Sequence, residues 1–212
     1  MTPLAVDQNV VRMRKPRKHA VRTHIKYMSP EQLTRFLQAA REYGPREHCM
    51  FLFAVSHGAR GQEICNLKLT DLDFSNGVVR IERLKGSLES VQSFMKVKGD
   101  TLTDEKLAFK TWLAARPDDP GGYVFNSRKS NQLSRVQVYR LFQEICRKAG
   151  IHGFNVHSLK HTCAMRLVKA NINAFTIQAT LGHRDIKSTM VYVAPTPQDC
   201  DAARLLAFSH KS

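Results

Sequence analysis

The sequence predicts a mainly α-helical protein with a small antiparallel β-sheet, and three observations support this fold class. Apolar residues recur at helical spacing through most of the chain after residue 25. One stretch, 78–97, instead alternates and is rich in β-branched residues on either side of a turn. Hydrophobic residues make up 42% of the 212 positions, which is sufficient for a single ordinary core.

The chain divides into a flexible basic arm over residues 1–25 and one domain over residues 26–212. Nothing before residue 25 is long enough to form a folded domain. A proline interrupts a cluster of cationic side chains in this arm: Arg12, Arg14, Lys15, Arg17, Lys18 and Arg22. Such an arm suits phosphates, along which it would become ordered on binding. A solvated tail without a specific role is the alternative.

The charge balance indicates a polyanionic partner. Lys and Arg number 33 against 18 Asp and Glu, which gives a net charge of +15. An excess of this size favours nucleic acid over a merely solvated basic surface. The five cysteines are far apart with no C-x-x-C, which disfavours a zinc ribbon or a disulfide framework and favours a reducing cytoplasm. No secretory signal is visible, and the longest apolar run, Cys49–Val55, is too short to span a membrane.

The first helix is predicted to begin at Ser29-Pro30, because serine caps helices and proline suits a first turn. Its buried stripe consists of Leu33, Phe36, Leu37 and Ala40. Gly44-Pro45 ends this helix and begins another, also with an apolar side. We expect most of the aromatic residues of both helices to be core residues rather than a binding platform.

A tight turn at Gly58 precedes a short helix that Arg60 opens. Arg60 and Glu63 are i, i+3 partners on this helix, so the carboxylate would hold the guanidinium in one orientation. The pattern is weak by itself, and a surface Arg–Glu pair is the simpler interpretation.

A β-hairpin follows. Ser75-Asn76-Gly77 is a hairpin turn, Val78–Leu84 is predicted to form one strand and Val91–Val97 its partner. Lys85 therefore lies at a hairpin tip, from which a flexible cation can reach into a groove. An exposed turn lysine without a function is the alternative for Lys85. Lys96 and Lys98 are rivals for the same role, but they lie at the far end of the second strand.

Two helices and a polar loop come next. Thr103 is the predicted cap of a helix, and Tyr123–Phe125 is a candidate short strand. The expected core residues of that helix are Leu107, Trp112 and Leu113. Residues 128–132 form a basic loop suited to phosphate contact. Ser134 then caps a basic helix that extends to Ala149, of the kind that enters a major groove. Its predicted inward residues are Val138, Leu141, Phe142 and Ile145.

The stretch from His157 to Tyr192 is the most informative part of the sequence. Its first part fits a helix on which His157, Lys160 and His161 share one face. Such a face is costly to assemble unless it meets solvent or an anion.

The rest of this stretch brings further groups towards Tyr192. A second helix is expected near residues 173–180 and ends at Gly182 in a left-handed conformation. Asp185 can cap a third helix, which carries Tyr192. Cationic and titratable groups thus converge near one tyrosine.

These residues resemble a known family. H-x-x-K-H at 157–161 is followed by L-G-H at 181–183 and by a tyrosine nine residues after that last histidine. Together with G-x-R-x-x-E-I-x-x-L at 58–67, they look like the sequence boxes of the tyrosine recombinases, the phage integrase family. The resemblance covers about residues 25–208 and is strongest to small members with only a catalytic domain, such as the invertases that switch fimbrial genes.

The resemblance implies the integrase catalytic-domain fold and site-specific DNA recombination through a 3′-phosphotyrosine at Tyr192, whether in integration, excision or inversion. Arg60 and Lys160 would clamp the phosphate, and His183 would donate a hydrogen bond to it. His157 would help to remove the tyrosine proton, and Lys85 would protonate the departing 5′ oxygen.

The implied partner is double-stranded DNA, bound by a homo-oligomer that is a tetramer by family analogy. A terminal helix over 198–208 would dock on a neighbouring protomer, or alternatively on its own core. No cofactor or metal is expected, since the sequence shows no acidic cluster of the two-metal type. A zinc helix through His157 and His161 is disfavoured because Lys160 would repel a cation. No membrane association is expected.

Two departures from the family keep another function open. Lys160 stands where the family usually has a second arginine, and a point charge replaces a planar, bidentate group. The short arm stands where most relatives carry an N-terminal domain. Both departures favour a recombinase-like protein that binds DNA without cutting it. An active enzyme is favoured by the five site residues that match the family: Arg60, Lys85, His157, His183 and Tyr192. A DNA-relaxing activity of the type I topoisomerase kind would use the same chemistry.

Overall fold

A computed structural model of the chain describes residues 25–84, 89–118, 120–127, 132–193 and 197–208. Within these ranges the protein forms nine α-helices and a three-stranded antiparallel sheet, which confirms the predicted fold class. The predicted arm, apart from Ile25, lies outside the described residues. Lys85 and residues 128–131 of the polar loop also lie outside them.

The first two helices are α1 (Pro30–Tyr43) and α2 (Pro45–Ser56). Ser29 caps α1 as predicted: its hydroxyl accepts from the Gln32 amide, and the Gln32 side chain accepts from the Ser29 amide. Gly44 separates the helices, and Pro45 takes the first position of α2. The predicted stripe of α1 is buried, whereas α2 is buried nearly all round, so it forms the centre of the domain.

Aromatic rings fill the main core. The centroid of the Phe36 ring lies 5.4 Å from that of Phe51 and 5.1 Å from that of Phe142. All three side chains are fully buried. Their tilted and edge-to-face packing is the arrangement that aromatic quadrupoles favour. These rings are core residues, as the sequence predicted for the first two helices.

Helix α3 (Gly61–Asn66) leads through a short 3-10 turn into the sheet. Its strands are β1 (Leu72–Asp73), β2 (Val78–Ile81) and β3 (Ser90–Ser93), in that spatial order. Val79 lies opposite Leu72 on one side and Gln92 on the other. The β1–β2 turn contains Gly77 at φ 71°, a conformation that glycine adopts without strain.

Both long strands are shorter than the sequence predicted, because side chains elsewhere take their backbone partners. After Ile81, the Leu84 amide donates to Glu63 Oε1 of α3 at 3.2 Å. After Ser93, the Met95 amide donates to Glu105 Oε2 at 2.8 Å. These carboxylates satisfy amides that would otherwise continue the ladder.

Helix α4 (Glu105–Ala115) corrects two predictions. Its cap is Asp104, which accepts from the Leu107 amide, whereas the Thr103 hydroxyl donates to Asp100. Leu107 is 43% exposed rather than a core residue. The helix instead turns Glu105 inward, because that carboxylate meets the His57 ring at 2.8 Å. Residues 123–125 form an isolated bridge from Tyr123 to Lys68 rather than the expected strand.

Five helices complete the described chain: α5 (Arg135–Lys148), α6 (Val156–Lys169), α7 (Ala174–Leu181), α8 (Lys187–Val193) and α9 (Pro197–Phe208). Helix α5 is capped by Ser134 as predicted and packs on the main core. Its predicted inward residues are buried, except that Leu141 is only partly buried. Helices α6, α7 and α8 enclose a second, smaller core formed by Cys163, Ala164, Ile177 and Leu181.

Helix α9 presents apolar side chains to solvent. Leu205 is 73% exposed and Phe208 is 89% exposed, so the helix does not bury them on its own core. Across the described residues, no helix combines the length and apolar character needed to cross a membrane.

Candidate active site

Five of the six predicted site residues lie in the described part of the chain, and the fold brings them together. They come from the start of α3, from α6, from the segment that joins α7 to α8, and from α8 itself. The charges of Arg60 and Lys160 act on His157 and His183, and the charge of Arg60 also reaches Tyr192. The sixth residue, Lys85, lies outside the described residues, so its position relative to this cluster stays a prediction.

Arg60 is held by Glu63 at the start of α3. The Arg60 amide donates to Glu63 Oε2 at 2.9 Å, and its Nη1 donates to Oε1 at 2.7 Å. The Glu63 side chain is fully buried, whereas that of Arg60 is 23% exposed, so this is not the surface pair of the simpler interpretation. Burial alone would raise the pKa of Glu63, but hydrogen bonds from Arg60 and the charge of Arg83 lower it below its usual range. A charged Glu63 therefore fixes a guanidinium that still faces outward.

Arg83 is a central residue of the site that sequence reasoning missed. Its Nη2 donates to the His57 carbonyl at 2.9 Å and to the Thr180 carbonyl at 2.8 Å, and its Nη1 donates to Glu63 at 3.1 Å. The side chain has no solvent exposure. Arg83 thus ties the end of α2, helix α3 and the end of α7 to the sheet.

A sequence signal for Arg83 did exist. Val79 and Ile81 alternate as the buried residues of β2, and Arg83 continues the same period of two. An arginine on the core face of a strand requires buried acceptors, which predicts a polar network beneath it.

Lys160 is also buried, with 1% of the residue exposed. Its Nζ donates to the Leu181 carbonyl at 2.6 Å, at the C-terminal end of α7 where carbonyl groups attract a cation. Burial, followed by the charges of Arg60 and Arg83, lowers the pKa of Lys160 to about 7. Lys160 therefore does not lie on an exposed face. It holds the turn at residues 181–183 from the interior of the protein.

Gly182 ends α7 in the left-handed conformation that the sequence predicted, at φ 62° and ψ 40°. A Cβ at this position would lie 2.7 Å from Arg83 Cγ, so the turn has neither the backbone freedom nor the space for a side chain. The turn places His183 next to α8, where its Nδ1 lies 2.9 Å from Thr189 Oγ1. Burial and the charges of Lys160 and Arg60 lower the pKa of His183 to about 4, so the ring is neutral at pH 7.

Tyr192 lies on α8 between two histidine rings. Its hydroxyl is 2.6 Å from His161 Nδ1, and its ring centroid is 6.4 Å from that of His183 with the planes 10° apart. Burial is the main cause that raises the pKa of Tyr192 to about 12, so the phenol is neutral at pH 7. The imidazole bonded to the tyrosine is thus that of His161, which the sequence placed in the motif but not among the six site residues.

His157 packs against His161, with ring centroids 4.6 Å apart. Burial, then His161 and Lys160, lower the pKa of His157 to about 4. The ring also lines an open cleft of about 670 Å³ together with Arg60 and Tyr139. His157 is therefore neutral and faces the cleft, one helical turn before His161.

This cluster can hold a phosphoryl group beside a nucleophile. Arg60 and Lys160 supply positive charge in a partly water-excluded site, where it stabilises the charge that develops in phosphoryl transfer. Among the described residues, no group of three or more His, Cys, Asp or Glu side chains is arranged to hold a metal ion. The fold and the site together define a helical catalytic domain with a cationic, tyrosine-bearing centre.

Comparison with known proteins agrees with this class. The model of the phage integrase family matches residues 26–199. The type 1 fimbriae regulatory protein FimB of Escherichia coli K12 is 32% identical over 174 residues, which cover 79% of this chain and 84% of that protein. The tyrosine recombinase XerA of Pyrococcus furiosus is 28% identical over 193 residues, 90% of this chain and 64% of that one. The chain belongs to the phage integrase family, as its sequence boxes predicted.

Solved structures show the same fold. A crystal structure of XerA recombinase superimposes with a TM-score of 0.71 at 22% identity, over 88% of this chain and 66% of that chain. A pre-cleavage complex of XerH with its difH substrate superimposes with a TM-score of 0.70 at 20% identity, over 84% and 53%. The chain thus spans about half to two thirds of the length of these two solved proteins.

Proposed function

We propose that this protein is a site-specific DNA recombinase that cleaves and rejoins double-stranded DNA through a 3′-phosphotyrosine at Tyr192. The observation that carries this proposal is that Tyr192, Arg60 and Lys160 lie together in one partly buried cluster. A neutral phenol beside Arg60 and Lys160 suits attack on a phosphodiester, because an anionic phosphate keeps Lys160 charged and both groups then offset charge that the attack creates on the phosphate oxygens.

In the proposed reaction, Tyr192 Oη forms a bond to phosphorus as the bond from phosphorus to the 5′ oxygen breaks. Arg60 and Lys160 stabilise the non-bridging oxygens, and His183 donates a hydrogen bond to one of them. His157 helps to remove the tyrosine proton, and Lys85 protonates the departing 5′ oxygen. The phosphotyrosine keeps the energy of the broken bond, so a 5′ hydroxyl from either strand can reverse the step.

The DNA would bind along α5 and the adjoining cleft. Val136 and Tyr139 are 57% and 51% exposed on α5. Together with Arg135 they line the same cleft as Arg60 and His157. An exposed, basic helix beside the phosphate site is suited to a major groove. The basic arm over residues 1–25 would add phosphate contacts on another part of the duplex.

We further propose that the protein acts as a homo-oligomer on DNA, as a tetramer by family analogy, and in the cytoplasm. The exposed Leu205 and Phe208 of α9 support the oligomer, because a neighbouring protomer would bury them. Inversion, excision and integration would all use this chemistry, and the relatives of the chain include a fimbriae regulatory protein and the tyrosine recombinase XerA.

A recombinase-like protein that binds DNA without cutting it is the second candidate. The observation in its favour is the position of Lys160, whose Nζ already donates to the Leu181 carbonyl. A lysine has three donors in all and lacks the planar fork of arginine, so fewer protons remain for a phosphate.

A covalent-trapping experiment tests the proposed function. Nicked duplexes drawn from the DNA around the gene for this chain are incubated with the protein and a chelator, and the products are separated on a denaturing gel. We expect a protein–DNA band with the wild type and none with Tyr192→Phe, which should still bind the same duplex. Binding of a specific duplex without any such band would favour the non-cutting protein.

Strand transfer is measured in the same experiment. A duplex with a labelled 5′ hydroxyl end is added after cleavage, and its capture shows recombination chemistry. Adducts that only reseal their own strand, together with relaxation of supercoiled plasmid, would indicate the topoisomerase-like alternative.

A further inference from the structure

The hydrogen bond between Tyr192 and His161 involves the atom that would attack the phosphate. Tyr192 Oη lies 2.6 Å from His161 Nδ1, and the two ring centroids are 5.7 Å apart. His161 lies on α6 and Tyr192 on α8, so the contact joins two packed elements of the site. His161 is not one of the six residues for which a catalytic role was predicted.

The protonation states set the direction of this hydrogen bond. Burial, then the charge of Lys160, lowers the pKa of His161 below its usual range, so the ring is neutral at pH 7. The raised pKa of Tyr192, about 12, keeps the proton on the phenol. The phenol therefore donates and Nδ1 accepts, which leaves the ring proton of His161 on Nε2.

We propose that His161 is a further catalytic residue, the base that accepts the Tyr192 proton on Nδ1 during attack. This inference rests on the proposed function. As the bond from Tyr192 Oη to phosphorus forms, the phenolic O–H bond breaks and an N–H bond forms on His161. The 5′ oxygen leaves with the electrons of its bond to phosphorus and takes a proton from a separate acid, the role proposed for Lys85. In rejoining, His161 returns its proton to the tyrosine.

The geometry divides the two histidines of α6 between two tasks. His157 lines the open cleft beside Arg60, where a DNA phosphate would lie, whereas His161 contacts the nucleophile. Both rings are neutral, but only His161 is placed at hydrogen-bond distance from the proton to be removed. The proton transfer that the family resemblance gives to His157 is thereby reassigned to His161, and His157 helps as a partner of the phosphate or of the imidazolium that forms on His161.

Substrate binding would strengthen this base. The titratable groups around His161 are Lys160 and His157 on its own helix and Tyr192 on α8. The positive charge of Lys160 disfavours a second positive charge on His161. A phosphate beside Lys160 and Arg60 offsets that charge, so His161 becomes a better proton acceptor when DNA is bound.

The contact itself is tested first, without DNA. The imidazole nitrogen resonances of His161 are measured by NMR in the wild type and in Tyr192→Phe. We expect an acceptor Nδ1 and a protonated Nε2 in the wild type, with the Nδ1 resonance shifted when the phenol hydroxyl is removed. An unchanged His161 resonance would overturn the inference, whatever the protein does to DNA.

The catalytic role is tested on the nicked duplex that the wild type cleaves. His161→Asn keeps an acceptor near the Nδ1 position but not a base, and His161→Ala leaves room for added imidazole. We expect both variants to cleave at least about 100-fold more slowly at pH 7, with rates that rise with pH as the phenol ionises without help. We also expect imidazole to restore part of the activity of His161→Ala. The exposed His152→Ala is the matched control and should behave as the wild type.

The outcomes separate the two proposals. Wild-type rates in His161→Asn, with an unchanged pH profile, would overturn the catalytic role while leaving the recombinase function intact. Faster cleavage by either variant would show that His161 restrains Tyr192, which also overturns it. If the wild type forms no Tyr192-dependent adduct on any duplex, the proposed function fails and the catalytic role fails with it. Thermal unfolding of each variant identifies any loss that comes from misfolding.

Discussion

Replacing Arg83 with methionine should destabilise the whole domain. Methionine keeps most of the length of the aliphatic side chain but removes donors to Glu63, to the His57 and Thr180 carbonyls and to Ser90. The Glu63 charge would stay buried with Arg60 as its remaining cation. Because both Arg83 and Glu63 have no side-chain exposure, water cannot replace the lost contacts without opening the site. Loss of one partner from such a pair costs about 3–5 kcal/mol.

Arg80 provides a matched control on the same strand. Its ion pair with Glu89 is 3.3 Å long, with side-chain exposures of 62% and 56%, so Arg80→Met should cost less than about 1 kcal/mol. The assay is urea unfolding at pH 7, followed by the fluorescence of Trp112, the single tryptophan, which is buried. With a slope of about 2 kcal/mol/M, Arg83→Met should lower the midpoint by roughly 2 M. Equal midpoints for the two variants would refute the view that Arg83 supports the site.

Four further predictions concern the site and the C-terminal helix. Lys160→Arg should raise the cleavage rate at least about tenfold, because a guanidinium holds a phosphate through two donors. This gain corresponds to a barrier that is lower by ~1.4 kcal/mol. A single-turnover assay that shows no gain would contradict the prediction. Gly182→Ala should destabilise the fold by about 1–3 kcal/mol in urea unfolding, because alanine is strained at φ 62° and its Cβ meets Arg83. An unchanged unfolding midpoint would show that the turn relaxes at no cost. Since the pKa of Lys160 is lowered from 10.5 to about 7, the unfolded chain binds more protons than the folded chain between these pH values, so the free energy of unfolding should rise with pH there. Lys160→Met should flatten that rise, and equal slopes for both proteins would argue against a lowered pKa. Phe208→Ser should leave the free energy of unfolding within about 0.5 kcal/mol of the wild-type value but weaken assembly on DNA, as measured by sedimentation. A large loss of stability would show that α9 packs on its own domain.

Local signals allowed much of this fold to be predicted. The cap at Ser29, the cap at Ser134 and the left-handed end of α7 at Gly182 each depend on a few neighbouring residues, and all three are confirmed. The pairing of Arg60 with Glu63 is likewise a property of one helical turn and is confirmed. Such features follow from the short-range chemistry of the backbone, so the sequence contains them almost completely.

Features that depend on distant partners were predicted less well. The sequence suggested Thr103 as a cap and Leu107 as a core residue, but Glu105 turns inward towards His57, which is 48 positions away in the chain. Glu105 and Leu107 lie two positions apart and on different sides of α4, so Leu107 faces solvent when Glu105 faces His57. The strand ends were misplaced for the same reason, since Glu63 and Glu105 take the amides of Leu84 and Met95. Local propensity gives no information on which long-range acceptor an amide will find.

The site shows the same division. The sequence boxes identified residues that carry charge, and the structure brings Arg60, His157, Lys160, His183 and Tyr192 together. Their catalytic roles, and the position of Lys85, stay predictions. The boxes did not show that His161, and not His157, contacts the tyrosine hydroxyl, because that choice depends on how α8 packs on α6.

The contacts of Arg83 also have a consequence for the order in which the chain is made. Arg83 donates to the carbonyl of Thr180 and Lys160 donates to the carbonyl of Leu181, and both acceptors lie at the end of α7. During synthesis, both cations leave the ribosome before these acceptors in α7 exist, and long-range contacts of this kind form late. Tyr192 follows only after that. A partly synthesised chain therefore lacks an assembled active site with which to break DNA. Tyr192 is added to the chain only after the residues that position and restrain it have been made.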